Sequence, residues 1–460
     1  MVALATMLQE RGLLAVPTNG PTAANPLEPR PSHFPAQAKS VIWLFMNGGQ
    51  SQVDTYDYKP ALEKHDGQPL AKLDKKTAFF QNSLGGLMKS PFKFAQHGKA
   101  GSWLSEIFPN LSRHADELAF IHSCHAESNN HAPALFQINT GFTRQGMPCL
   151  GAWTTYGLGC ETQSLPAFVV MTDTLGRGFP KGYAQNWSAG FLPGVFQGTA
   201  LNFQGAPINN MVRNPNMTDA QQRAQLDLFR KLNEDSVQAS RESELAARIE
   251  SFETAYRMQS AAPEALELAN EPEHIRKLYG LDQKHCEHFA RQCLTARRLV
   301  ERGVRFVQIY SGGEDNQRSW DGHSDIQQNH GQFALETDQP IAALLTDLKQ
   351  RGLLESTLLI NCGEFGRLPV AQPFGKPGRD HNPRAFTTWL AGGGVRGGAH
   401  YGQTDEFGYE AVVDKVNIHD LHATILHLLG FDHERLTFRV SGRDFRLTDV
   451  EGNVVREVLS

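Results

Sequence analysis

The sequence predicts an α/β protein in which a mostly parallel central sheet is sandwiched by helices. Six apolar runs of strand length lack in-and-out alternation, as strands buried on both faces do. Helical patterns ending near a glycine lead directly into two of those runs. At 460 residues, 40% hydrophobic and 20% charged, the chain can bury a large core.

Taken in order, residues 1–37 form a separate segment and linker. MVALATMLQERGLLAVPTNGPTAANP is mildly apolar, then rich in Pro, Ala and Asn, which reads as an export-signal remnant interrupted by Glu10 and Arg11. A short amphipathic helix with a linker is the alternative reading. The first predicts an exported or periplasmic protein, the second leaves the cytoplasm open. An α/β domain is expected over 38–460, beginning with VIWLFM (41–46), which NGG closes. ELAFIHSC (117–124) and LPAFVVM (165–171) follow as strands, and 171–213, rich in Gly, Asn, Pro and aromatics, as loops rimming a pocket. Residues 217–280 are charged and amphipathic, with Leu226, Leu228, Phe229 and Leu232 at helical spacing, and read as a helical insertion. HFARQCLTARRLVERG leads into GVRFVQIY (303–310), and IAALLTDLKQRGLLES into STLLINC (356–362). AFTTWLAGGG (385–394) is the last long strand.

Several function classes are excluded. A net charge of −5 gives no basic footprint for nucleic acid. No run of about 18 apolar residues exists to make a transmembrane segment. The six cysteines contain no CxxC pair, against zinc-finger and thioredoxin readings, and leave room for one or two disulfides. AGGGVRGG lacks the Gly-Lys-Ser/Thr of a phosphate loop.

In open α/β sheets ligands gather beyond the carboxyl ends of the strands. There the chain places Asn47, Asp54 and Asp57; then His125, Glu127, Ser128 and His131; then Glu314, Asp315, Asp321, His323 and Asp325; and last Glu364, Arg367, Arg379, Asp380 and His381. Carboxylate oxygens and imidazole nitrogens in this mixture suit a metal such as zinc, manganese or iron. A carboxylate–arginine network built on Arg367 and Arg379 is the alternative. Asn129, Asn130 and His131 also read simply as the cap of a helix starting near Ala132. His400, His419, His422 and His427 read first as packed or solvated side chains.

NGGQSQVDTYDYKP, NNHAPALFQINTG, SWDGHSD, CGEFGR, GRDHNP and DLHATILHLLGFDHERLTFRVSGRDFRLTDV together resemble the bacterial family called domain of unknown function 1501. That family is labelled sulfatase-like and grouped with the alkaline phosphatase superfamily, and the resemblance runs from about residue 38. It implies an alkaline-phosphatase/sulfatase-like fold and metal-dependent hydrolysis of sulfate or phosphate esters. The substrate would be a small anionic ester or a sulfated polysaccharide. It also implies two metal sites. Asp321, His323 and His381 match one, and Glu364, with Asp54 or Asp380 reaching in, are the candidates at the other, for zinc with manganese, iron or calcium as alternatives. At the second site Asn47 and Phe365 stand where the superfamily has an Asp and a His. The implied nucleophile is Ser128, with Ser123 and Cys124 as alternatives, and Arg367 and Arg379 would hold the anion. A non-catalytic binding or scaffold protein on the same fold is the competing expectation.

Overall fold

The computed structural model describes residues 25–202, 216–240 and 243–460. The proposed export-signal remnant up to residue 24, and 203–213 of the proposed pocket rim, lie outside the described residues.

Eight strands make the central sheet: β1 (Ser40–Met46), β2 (Leu118–Cys124), β3 (Phe168–Met171), β4 (Thr199–Leu201), β5 (Phe306–Ser311), β6 (Thr357–Cys362), β7 (Phe386–Ala391) and β8 (His400–Tyr401). Their spatial order is β8-β2-β7-β6-β1-β5-β3-β4. Only β7 runs against its neighbours, pairing antiparallel with both β2 and β6. The remaining pairs are parallel. The predicted fold class is the one observed.

The unbroken apolar run of β1 has the cause the sequence suggested. Val41, Trp43 and Phe45 enter one core, and Ile42, Leu44 and Met46 enter the other. The first core is covered by helices α1 (His131–Thr140), α2 (Leu150–Leu158) and, after the sheet, the C-terminal helix Ile418–Leu428. Between β4 and β5 the chain forms α3 (Asp219–Ser240), α4 (Ser243–Leu266), α5 (Glu273–Tyr279) and α6 (Glu287–Glu301). Helix α6 and the long α7 (Ile326–Gln350) cover the second core, and Ile418–Leu428 is α8. All six cysteines are free and buried, so the room left for disulfides is not used. Among the described residues no helix is long and apolar enough to cross a membrane.

Two features of this topology position a site. The loops after β1, β2, β5 and β6 leave one edge of the sheet, because those strands are parallel. Because β7 runs the other way, the residues just before it, Asp380 to Ala385, reach that same edge. The second feature is the tight turn after β1. Gly48 and Gly49 have φ of +101° and +82°, a left-handed backbone that glycine adopts without strain. A Cβ on Gly48 would sit 2.5 Å from Ser319 Oγ and 2.6 Å from the Asp321 backbone nitrogen, and one on Gly49 would meet the Phe365 ring at 2.7 Å. The glycines let the loops carrying Asp321 and Phe365 close over the strand end.

Candidate metal centre

Four side chains from three segments meet at that edge. His131 opens α1, Asp321 and His323 lie on the loop after β5, and His381 precedes β7. One ligand atom of each lies within 4.8 Å of every other, and all four residues are buried. Asp321 Oδ1 is 3.3 Å from His131 Nε2, 3.0 Å from His323 Nε2 and 3.2 Å from His381 Nε2. His323 Nε2 and His381 Nε2 are 2.9 Å apart.

The other ring nitrogens explain this convergence. His131 Nδ1 lies 2.7 Å from Glu364 Oε1, His323 Nδ1 2.6 Å from Gln372 Oε1, and His381 Nδ1 2.6 Å from the Asn129 carbonyl oxygen. A carboxylate, an amide oxygen and a carbonyl can only accept, so each Nδ1 carries its proton and donates. In the neutral ring each Nε2 then has its lone pair aimed inward. That is the arrangement in which histidines bind metals, the far nitrogen fixing ring and tautomer. At His131, which the facing carboxylates keep protonated, an arriving metal would displace the Nε2 proton. His131 Nε2 is buried and is faced by the Asp321 carboxylate, at 3.3 Å and out of good hydrogen-bond geometry. Donors about 2.0–2.2 Å from one tetrahedral ion lie roughly 3.3–3.5 Å apart, close to the spacing here. The cluster could hold a metal ion.

Electrostatics favours an ionised Asp321 and a neutral His381, and holds His131 protonated until a metal replaces its proton. Burial pushes Asp321 up, but the His131 ring and the Arg367 guanidinium overcome it and hold the carboxyl well below the usual range. Arg367 Nη2 donates to Asp321 Oδ1 at 2.6 Å. Burial lowers His131, yet Asp321 and Glu364 raise it to about 9. Burial and the neighbouring His131 charge keep His381 well below its usual value, so its Nε2 lone pair is free. Asp321 and Glu364 are faced by the Arg367 guanidinium and the protonated His131 ring, and an ion that displaced the His131 proton would take over its share of that charge.

The structure thus brings together Asp321, His323 and His381 and adds His131. The other expected ligands stand apart. Glu364 accepts from His131 and from the Gly48 backbone, one bond behind the cluster. Asp54 pairs with Arg379 through both oxygens, at 2.6 and 3.1 Å, both residues fully buried. Asp380 accepts from the backbone nitrogens of Phe79, Phe80 and His381. Phe365 packs its ring 4.5 Å from that of His381 and 5.0 Å from that of His131. Asn47 donates to the Gly313 carbonyl. Arg367 and Arg379 have no exposure, and four N–H groups of each are taken by the chain itself. The Ser128 hydroxyl sits in a turn, accepting from the Asn130 backbone nitrogen at 3.1 Å. Asn130 precedes α1 without any side-chain cap bond, so the helix-cap reading of this stretch does not hold for it.

His131 stands among the polar residues after β2 but is not one of the ligands expected from the sequence. A histidine opening a helix after a strand looks the same whether it caps or coordinates. Only the approach of Glu364 distinguishes the two.

The model of the family described as a protein of unknown function, DUF1501, matches residues 38–459. No curated protein matches the sequence. Solved structures similar to the chain include a lipoteichoic acid synthase from Listeria monocytogenes, at 10% identity and a TM-score of 0.37, covering 88% of this chain and 76% of that one. A sulfatase from Pseudoalteromonas sp. is 12% identical, with a TM-score of 0.36 and coverage of 86% and 68%. A protein of the alkaline phosphatase superfamily from Vibrio parahaemolyticus is 11% identical, with a TM-score of 0.34 and coverage of 89% and 71%. The fold described above rests on the sheet itself and not on these likenesses.

Proposed function

The chain belongs to the DUF1501 family, and from that premise we propose that it is a metal-dependent hydrolase of sulfate or phosphate esters. The observation that carries this reading is the common orientation of His131, His323 and His381, each Nδ1 held by an oxygen and each Nε2 within 3.3 Å of Asp321 Oδ1. Three imidazole nitrogens and one carboxylate oxygen suit zinc first, then manganese or iron, and poorly suit calcium, which takes six to eight oxygens. When bound, such an ion would polarise an ester oxygen or lower the pKa of water toward about 7, provided that it takes the ester or water as a fifth ligand beside the four protein donors.

The protein's own contribution is preorganisation. Glu364, Gln372 and the Asn129 carbonyl fix the tautomers. Arg367 offsets Asp321 and ties its loop to the Gly48 and Gly49 carbonyls. In this reading Arg367 and Arg379 brace the loops, since neither reaches solvent to hold an anion. Water is the attacking group it favours, because the Ser128 hydroxyl is engaged by its own turn.

A second reading, a binding or scaffold protein, draws on Asn47 and Phe365, which supply neither an anionic oxygen nor an imidazole where the second metal of the superfamily would lie. Elemental analysis after purification without chelator tests the first step, with one ion per chain expected. No ion even after metal loading overturns the proposal. Turnover of 4-nitrophenyl sulfate and 4-nitrophenyl phosphate by the loaded protein tests the second. A stoichiometric ion without turnover of either selects the binding reading.

A further inference from the structure

Three phenylalanines beside the buried cluster lie outside the core. Phe79, Phe80 and Phe374 are 45%, 38% and 43% exposed, a large outlay of apolar surface to water at one spot. Yet they are not loosely placed. The buried carboxylate of Asp380 accepts from the backbone nitrogens of Phe79 at 3.3 Å and Phe80 at 2.7 Å, and from His381 at 2.7 Å. One fully buried acid therefore sets both the two rings and a candidate metal ligand. The Phe79 ring lies 5.4 Å from the ring of His381, and the Phe80 ring 5.0 Å from that of His323. Phe80 stands edge-on to Phe79 at 5.0 Å and to Phe374 at 5.8 Å. The result is an angled apolar wall whose inner side touches the imidazoles and whose outer side is open.

We propose that Phe79, Phe80 and Phe374 form a subsite for a ring carried by the substrate, next to the anionic group that the cluster handles. This rests on the reading of the cluster as an ester-binding centre. The chemistry of the wall selects the ligand. Phenylalanine has no hydrogen-bonding handle, so the wall rewards a flat apolar face, an aryl group or the C–H face of a sugar, and gives nothing to a free anion. The shared anchor at Asp380 keeps wall and His381 at a fixed offset, so the ligand is recognised as a unit of ring and anion.

Pairs of non-hydrolysable probes separate the two claims. Calorimetric titration of the full chain, purified without chelator, would compare phenylphosphonate with methylphosphonate and benzenesulfonate with methanesulfonate. In at least one pair the ring-bearing member should bind about tenfold more tightly. Phe80→Ala and Phe374→Ala should each cut that ratio to about threefold or less while bound metal stays at the wild-type level. Equal affinity within both pairs, or a ratio unchanged in both variants, overturns the subsite. Failure of all four probes to bind overturns the ester-binding reading beneath it.

Discussion

Glu364 Oε1 stands 2.7 Å from His131 Nδ1, and both Glu364 oxygens also accept from the Gly48 backbone nitrogen. The carboxylate thus links the end of β1 to the first residue of α1 and turns His131 Nε2 toward Asp321. Its role is orientation, one bond removed from the ion. Glu364→Gln keeps the size and one acceptor but lets the amide face either way. It should weaken metal affinity about 10–100-fold. His131→Ala, which deletes a donor, should lose more. Competition with a graded series of chelators would rank them, and affinity in Glu364→Gln equal to wild type would remove Glu364 from the site.

Asp54 and Arg379 tell the opposite story. Their two-pronged pair is wholly buried, and Arg379 pulls Asp54 below its usual pKa against the opposing effect of burial. Removing one partner leaves the other charged and alone. Arg379→Met should destabilise the fold by about 3–5 kcal/mol, and the double variant Asp54→Leu/Arg379→Met by clearly less. Urea unfolding measures both. The double variant should still carry its metal, which a role for Asp54 as a metal ligand would not allow.

Gly48 offers a backbone test of the site's assembly. Gly48→Ala combines a φ of +101° with contacts of 2.5 and 2.6 Å to the Asp321 loop. Strain of about 1–3 kcal/mol is expected from the backbone alone. Relief requires the loop to retreat, carrying Asp321 from the three imidazoles. The variant should fold with reduced stability and bind metal poorly. Wild-type metal affinity there would mean that the loop tolerates displacement.

These outcomes depend on features with unequal visibility in the sequence. The sheet was legible because strands buried on both faces must be apolar throughout, as β1 is. The edge carrying the site was legible because parallel strands deliver their following loops to one side. The direction of β7 was not, since an isolated apolar run carries no polarity. It is this reversal that brings His381 to Asp321. Partner choice among charges was likewise hidden. Asp54, Glu364 and Asp380 look equivalent as acids near strand ends, and become a salt bridge, a histidine brace and a loop anchor only through contacts with Arg379, His131 and Phe80 that lie hundreds of residues away in the chain.

His422 gives a pH prediction away from the centre. It lies fully buried on α8, its Nε2 donating to the Ile138 carbonyl of α1 at 2.8 Å, with Nδ1 unpartnered. Burial pushes its pKa down to about 3, against about 6.5 for an unfolded histidine. Between those values the unfolded chain binds a proton that the folded chain refuses. Stability from this residue is therefore complete above about pH 6.5 and is lost as pH falls toward 3, at about 1.4 kcal/mol per pH unit. His422→Gln can keep a donor to Ile138 but cannot titrate. Its stability should fall less steeply than wild type between pH 6 and 4 in urea midpoints taken at each half unit. Because His330 and His122 are also driven down by burial, to about 3 and about 4, the variant should retain part of the acid sensitivity. Parallel curves for the two proteins would show that His422 takes up its proton without unfolding the α1–α8 contact.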